Sequence, residues 1–152
     1  MMVSGEDCPF QILLVEDTIA DAKLFFKSFE VQHFNVKIEW AKNAELAIEF
    51  LSRYKREGSE QKIDLVVLDL NLPKVKGLEL ISFVRKHKDL SVLPILVLSS
   101  SSADEEVFKS YSLGANAYIV KPVDFDSLQQ VAKSIYDFWF RSVCLPHFER
   151  PS

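Results

Sequence analysis

This chain of 152 residues is short of cysteine and histidine, and it has no long apolar run. Cys8 and Cys144 lie near opposite ends without metal-ligand spacing. A thiolate zinc site is therefore excluded, and both read as free thiols of a reducing, cytoplasmic compartment. His33, His87 and His147 are too scattered to act as a ligand set. The amino terminus, which carries Glu6 and Asp7, lacks the basic start and apolar core of a signal peptide. No run approaches the length that spans a bilayer. Basic residues are not in excess: 18 Lys and Arg against 22 Asp and Glu give a net charge of −4. With a pI near 5.4, no nucleic-acid or membrane partner is expected. No repeat, low-complexity tract or internal linker is present. A hydrophobic content of 48% and a mean hydropathy of +0.05 argue against disorder, and the length suits one domain with one well-buried core.

What is present is an alternation of strand and helix signals. Gln11 to Glu16, Asn35 to Trp40, Leu65 to Asp69, Leu93 to Leu98 and Ala117 to Val120 read as strands. The consecutive apolar residues in most of them predict burial on both faces. Asn35 to Trp40 is less apolar and belongs nearer a sheet edge. Thr18 with Asp21, and Ser102 with Glu105, resemble capping boxes. Asn43 and Asp124 suit the N-cap position. The first helix carries Ile19, Ala22, Phe25, Phe26 and Phe29 at helical spacing. Leu46, Ala47, Phe50, Leu51 and Tyr54 predict the second buried stripe. Lys55 to Lys62, with Gly58, reads as a loop. The third helix runs from Leu78 to about Lys86 on Leu78, Ile81 and Val84, after a loop punctuated by Pro73 and Gly77. The fourth passes through Val107, Phe108 and Tyr111 to a C′ glycine at Gly114. The last uses Leu128, Val131, Ala132, Ile135, Phe138 and Trp139. Favourable interaction with a helix C-terminus accounts for Arg85, Lys86, His87 and Lys88. Strands separated by helices imply right-handed crossovers and a parallel sheet covered on both faces.

Three strand ends carry the charge. Glu16 and Asp17 close the first apolar run, Asp69 closes the third, and Lys121, before Pro122, closes the fifth. Open α/β sheets build their sites at the carboxyl ends of strands. An acid at a loop start is often only a helix cap, and a lysine before a turn is often only solvated. Three acids at one edge are another matter. Two carboxylates ~4 Å apart repel by about 4 kcal/mol at an effective dielectric of about 20. Such a cluster calls for a cation, and Mg²⁺ suits it, because that ion takes a few oxygen ligands and keeps water or phosphate in the rest. Phosphoryl transfer to Asp69 fits, since it needs mainly positioning and charge neutralisation.

In this order these residues resemble the receiver domain of two-component response regulators. The resemblance rests on Glu16-Asp17, Asp69-Leu70-Asn71-Leu72-Pro73 with Gly77, Ser99, Tyr118 and Lys121-Pro122, and spans Ile12 to about Trp139. It implies a flavodoxin-like α/β fold, a three-layer α/β/α arrangement with a five-stranded parallel sheet of order 2-1-3-4-5. It implies residues 1–9 as an extension, 10–140 as the receiver and 141–152 as a tail. It also implies that Asp69 accepts a phosphoryl group from a histidine kinase. Asp17, Glu16, Asp69 and the Asn71 carbonyl would hold Mg²⁺ or Mn²⁺, and Ser99 and Lys121 would meet phosphoryl oxygens. Tyr118 would be the switch aromatic that turns inward with Ser99, and Lys121-Pro122 is often cis in the family. The chain would signal through protein contacts, without turnover as an enzyme.

Phe138-Trp139-Phe140-Arg141-Ser142-Val143-Cys144-Leu145-Pro146 resembles the tail of regulators partnered with cyanobacterial phytochromes and bacteriophytochromes. It implies a light-regulated kinase as donor. Phe138, Trp139, Phe140, Val143, Leu145 and Phe148 exceed what one sheet can cover, and they predict a homodimer through the last helix and tail; a tail folded back on its own domain is the alternative. A chemotaxis-type or phosphorelay receiver is another reading. A small aspartyl-phosphate phosphatase is a third, but Asn71 replaces the acid of its Asp-x-Asp motif. A flavin carrier of the same strand order would need a Gly- and Ser/Thr-rich loop where Glu16-Asp17 stands.

Overall fold

The computed structural model describes residues 9–53, 62–70 and 74–146. The elements are β1 (Phe10–Val15), α1 (Ile19–Glu30), β2 (Val36–Ala41), α2 (Ala44–Ser52), β3 (Leu65–Asp69), α3 (Lys74–Lys86), β4 (Ile95–Ser99), α4 (Asp104–Leu113), β5 (Ala117–Val120) and α5 (Phe125–Ile135). All pairings are parallel, and the strand order is 2-1-3-4-5, as the residue pattern implies. The α5 axis continues into a wider, π-helical stretch over Tyr136–Ser142, closed by a bond from Val143 N–H to the Phe138 carbonyl.

The side-chain period of two divides each inner strand between two cores. Leu13, Val15, Val66, Leu68, Ile95 and Val97 pack with Ala47 and Leu51 of α2 and Leu80, Ile81 and Val84 of α3. Ile12, Leu14, Leu65, Val67, Leu96 and Leu98 pack with Ala22, Phe25 and Phe29 of α1 and with Ala132 and Ile135 of α5. Each such aliphatic side chain contributes roughly 1.5–3 kcal/mol by leaving water. A strand buried on both faces has no room for a polar residue in its body, so polar groups collect at its ends.

Several local readings change. The N-cap position of α1 is Thr18, but its side chain caps nothing. Its hydroxyl faces Asp17 Oδ1 at 3.3 Å, and Asp21 is drawn to Lys121 instead. The N-cap of α4 is Ala103, not Ser102; Ser101 Oγ accepts from Ala103 N–H and donates to Glu106. Asn43 and Asp124 do cap, accepting from Leu46 N–H and Ser127 N–H at 2.8 and 2.7 Å. The α3 helix begins a turn earlier than its apolar spacing indicates, so Gly77 lies inside it. A Cβ there would stand 2.7 Å from Leu70 Cδ2, and close approach, not a turn, explains this glycine. Gly114 ends α4 with φ 116°, as expected of a C-terminal glycine. Leu46, Phe108 and Tyr111 are exposed, not inward-facing.

Arg85 is not a solvated helix-end charge. Its guanidinium turns in to the carbonyls of Gly114, Ser91 and Leu93 and to Asn116 Oδ1, at 2.7–3.1 Å. It ties the end of α3 to the turns around β4 and β5, far from the charged sheet edge. Tyr54, the loop over 55–61 with Gly58, the segment Asn71-Leu72-Pro73, Cys8, His147 and Phe148 lie outside the described residues.

Candidate functional site

Alternation decides which strand-end residues meet. Asp69, the last residue of β3, and Glu16 and Lys121, each one residue past the end of β1 and β5, fall on the α1/α5 face, where they line one cavity with Leu14, Val67 and Leu98. Asp69 and Glu16 are buried, and Lys121 is nearly so. Lys121 Nζ donates to Asp69 Oδ2 at 3.0 Å, Glu16 Oε1 at 3.1 Å and Asp21 Oδ2 at 3.1 Å. Ligand oxygens of Glu16, Asp17 and Asp69 all lie within 4.8 Å of one another, with Asp17 exposed. An all-oxygen set of this compactness, open on one side, fits a hard divalent cation such as Mg²⁺ or Mn²⁺. The Asn71 carbonyl, expected in the same set, lies outside the described residues.

Electrostatics follow from the burial. Desolvation first, then the hydrogen bond and charge of Asp69, push the Glu16 carboxyl up to about 8, and Lys121 only partly offsets them. Burial alone would lower the Lys121 ammonium, but the charges and hydrogen bonds of Asp69 and Glu16 outweigh it and hold it above its ordinary value. One ammonium thus stands against three carboxyl groups.

The other face carries Ser99 and Tyr118. Ser99 is buried; its Oγ accepts from Ser101 N–H at 3.2 Å, and its carbonyl accepts from Lys121 N–H at 2.7 Å. Tyr118 is half-buried against the core on the α2/α3 side. Its hydroxyl donates to the Ser101 carbonyl at 2.8 Å. The ring packs inward, with that carbonyl as its acceptor. Among the described residues no peptide bond is cis; Lys121-Pro122 is trans, and the Ser99–Lys121 backbone bond suffices to carry the ammonium to the acids.

Two members of the site escaped sequence reading. Asp21 looked like a capping residue; its position one helical turn after Asp17 was the available signal. Trp40 looked like an edge-strand aromatic, yet its Nε1–H donates to the Glu16 carbonyl at 2.7 Å. The tail divides. Phe140 is buried and stacks on Phe10 with centroids 4.5 Å apart, and Trp139 and Leu145 pack on the α1/α5-side core. Val143 is half-buried, and Phe138 stays 53% exposed. The domain covers more of the tail than its composition suggests, because Phe10, Phe34 and Tyr136 form a second aromatic layer.

The raised Glu16 carboxyl sets a pH dependence. Between its ordinary value of 4.5 and about 8, the folded chain holds a proton that the unfolded chain has released. The stabilisation is fully present below about 4.5 and is lost as pH rises through about 8. In a chelator, denaturant unfolding across pH 5.5–8.5 should show the native chain losing stability relative to Glu16→Gln. Parallel curves would contradict the assignment.

Residues 12–133 match the response regulator receiver domain. The probable methanogenesis regulatory protein FilR2 of Methanothrix harundinacea is 36% identical over 91% of this chain and 88% of its own length. The response regulator Rcp1 of Synechocystis is 31% identical over 91% of this chain and 94% of its own; its Mn²⁺-bound crystal structure superposes with a TM-score of 0.78, covering 91% of this chain and 99% of that one. The phosphorylated cyanobacterial phytochrome response regulator RcpA has a TM-score of 0.81 at 31% identity, with 91% of this chain and 99% of that one covered. A match over most of the chain, on a fold that gathers its acids and lysine at one sheet edge, shows that this chain belongs to the response regulator receiver-domain family.

Proposed function

We propose that the chain is a phosphoacceptor switch. A histidine kinase donates a phosphoryl group to Asp69, and the domain signals through protein contacts. The observation that carries this is the buried Asp69 carboxylate, 3.0 Å from Lys121 Nζ and within 4.8 Å of the oxygens of Glu16 and Asp17. An Asp69 oxygen attacks phosphorus while the phosphorus–nitrogen bond of the donor's phosphohistidine breaks. The electron pair goes to the imidazole nitrogen, which takes up a proton from solvent. Lys121 balances the charge that gathers on the phosphoryl oxygens, and the Ser99 hydroxyl donates to one of them. A divalent cation held by Glu16, Asp17 and Asp69 supplies the remaining positive charge. Rcp1 is a relative with a Mn²⁺-bound form, which supports Mg²⁺ or Mn²⁺ as the ion.

The likeness to Rcp1 and RcpA supports a phytochrome or bacteriophytochrome kinase as donor. FilR2, whose name concerns methanogenesis, is at least as similar in sequence, so the kinase chemistry is the shared requirement and light is one input that fits it. No helix among the described residues is long and apolar enough to cross a membrane. We also propose a homodimer in which β5, an edge strand, and α5 face a second copy. Exposed Phe138 beside a cavity lined by Leu96, Ala117, Ile119 and Trp139 supports it.

With a competent kinase or a small phosphodonor, Asp69→Asn should lose all acid-resistant, base-labile labelling. Asp17→Asn should need at least tenfold more Mg²⁺ for half-maximal labelling. Normal labelling of Asp69→Asn, or labelling of the native chain in excess chelator, would overturn the proposal. Light scattering over a dilution series tests the dimer: the intact chain should show twice the monomer mass and Phe138→Asp, at the exposed aromatic of that face, the monomer mass. A monomeric intact chain at micromolar concentration, phosphorylated or not, would remove it.

A further inference from the structure

We infer that Trp40 is a positioning residue for the acidic pair: its indole N–H fixes the Glu16–Asp17 peptide and so sets the metal affinity of the site. The β1–β2 ladder ends at the pair Val15 and Ala41. One residue further, Glu16 N–H still donates to the Ala41 carbonyl at 3.0 Å. The Glu16 carbonyl has left the ladder, because β2 turns away to the Asn43 cap of α2. A carbonyl at this half-buried point needs a donor, and Trp40 Nε1 supplies it at 2.7 Å. The indole packs against the core on the α1 side, and Lys42 Nζ lies 5.9 Å from its ring centroid, so its direction is set from both sides.

This bond matters because one peptide plane carries both acids. The plane fixes ψ of Glu16 and φ of Asp17. Glu16 must point into the domain toward Asp69, while Asp17 must point out to the open side of the cluster. Thr18 N–H holds Glu16 Oε2 at 3.2 Å, whereas among the described residues Asp17 has only the weaker approach of the Thr18 hydroxyl at 3.3 Å. Rotation of the peptide would cost Asp17 its place first. Partners that orient metal ligands commonly govern affinity as much as the ligands' own chemistry does.

The inference rests on the proposed metal site, and its test separates the two. Mn²⁺ is titrated into the full chain and free ion is followed by its paramagnetic resonance. Trp40→Phe keeps a ring for packing and for Lys42 but removes the donor. It should weaken Mn²⁺ binding about fivefold, the order of one lost hydrogen bond. Phe34→Leu, which loosens the stack on Tyr136 at the opposite end of the sheet, should lower thermal stability without changing affinity. Unchanged affinity in Trp40→Phe, or equal weakening in Phe34→Leu, overturns the inference while the metal site stands. No binding by the native chain overturns both. A second measurement needs no substitution. Of the two tryptophan indole protons, that of Trp40 should exchange slowly with water and shift as Mg²⁺ is added, with the midpoint of metal binding. A Trp40 proton that exchanges at solvent rate, or that ignores Mg²⁺, would refute it.

Discussion

One ammonium facing three carboxyl groups is the constraint on which this domain is organised. Lys121 touches Asp69, Glu16 and Asp21 at 3.0–3.1 Å, and it can do so only because β1, β3 and β5 present their ends on one face of one sheet. Removing one partner of a buried charge pair typically costs about 3–5 kcal/mol, so the cluster cannot be indifferent to its counter-charge. Two features of the chain's own residues reduce the imbalance. Glu16 keeps its proton to about pH 8, and Asp17 stays in water. Both leave the edge ready for further positive charge, which is what a site for a divalent cation and a phosphoryl group requires.

The two faces of the sheet divide the work. Acids and lysine meet on the α1/α5 side, whereas Ser99 and Tyr118 point to the α2/α3 side. A backbone bond from Lys121 N–H to the Ser99 carbonyl joins them. From Ser99 the connection runs through Ser101 to Tyr118 and to Glu106 at the start of α4. A hydroxyl that gains a phosphoryl contact in one state only would give the differential interaction a two-state switch needs, and α4 is where the displacement would be felt. Its exposed Phe108 and Tyr111 lie on that helix.

Strands were legible because apolar runs such as Ile12 to Val15 and Leu65 to Leu68 have one meaning in a chain this short: burial on both faces. Asp69, Glu16, Asp17 and Lys121 were legible because each breaks such a run at its end. Residues whose role depends on three-dimensional neighbours were not. Asp21 and Thr18 have the composition of a capping box, and only the nearness of Lys121 diverts the acid. Arg85 reads as a surface charge until three carbonyls surround it. Trp40 has the look of an edge-strand aromatic, and nothing in its local pattern reveals a partner on the neighbouring strand. Phe140 reads as an interface residue because nothing in the sequence marks Phe10, 130 positions away, as its stacking partner.

The charge balance is tested most directly by replacing the ammonium with an uncharged group of similar length, Lys121→Met, and comparing melting temperature at pH 8 in chelator and in saturating Mg²⁺. If Lys121 is the counter-ion of the cluster and a divalent cation shares that role, the variant melts well below the native chain in chelator, by an amount equivalent to about 3 kcal/mol, and Mg²⁺ restores most of the difference. A variant that melts with the native chain in chelator, or one whose deficit Mg²⁺ leaves untouched, would contradict the account.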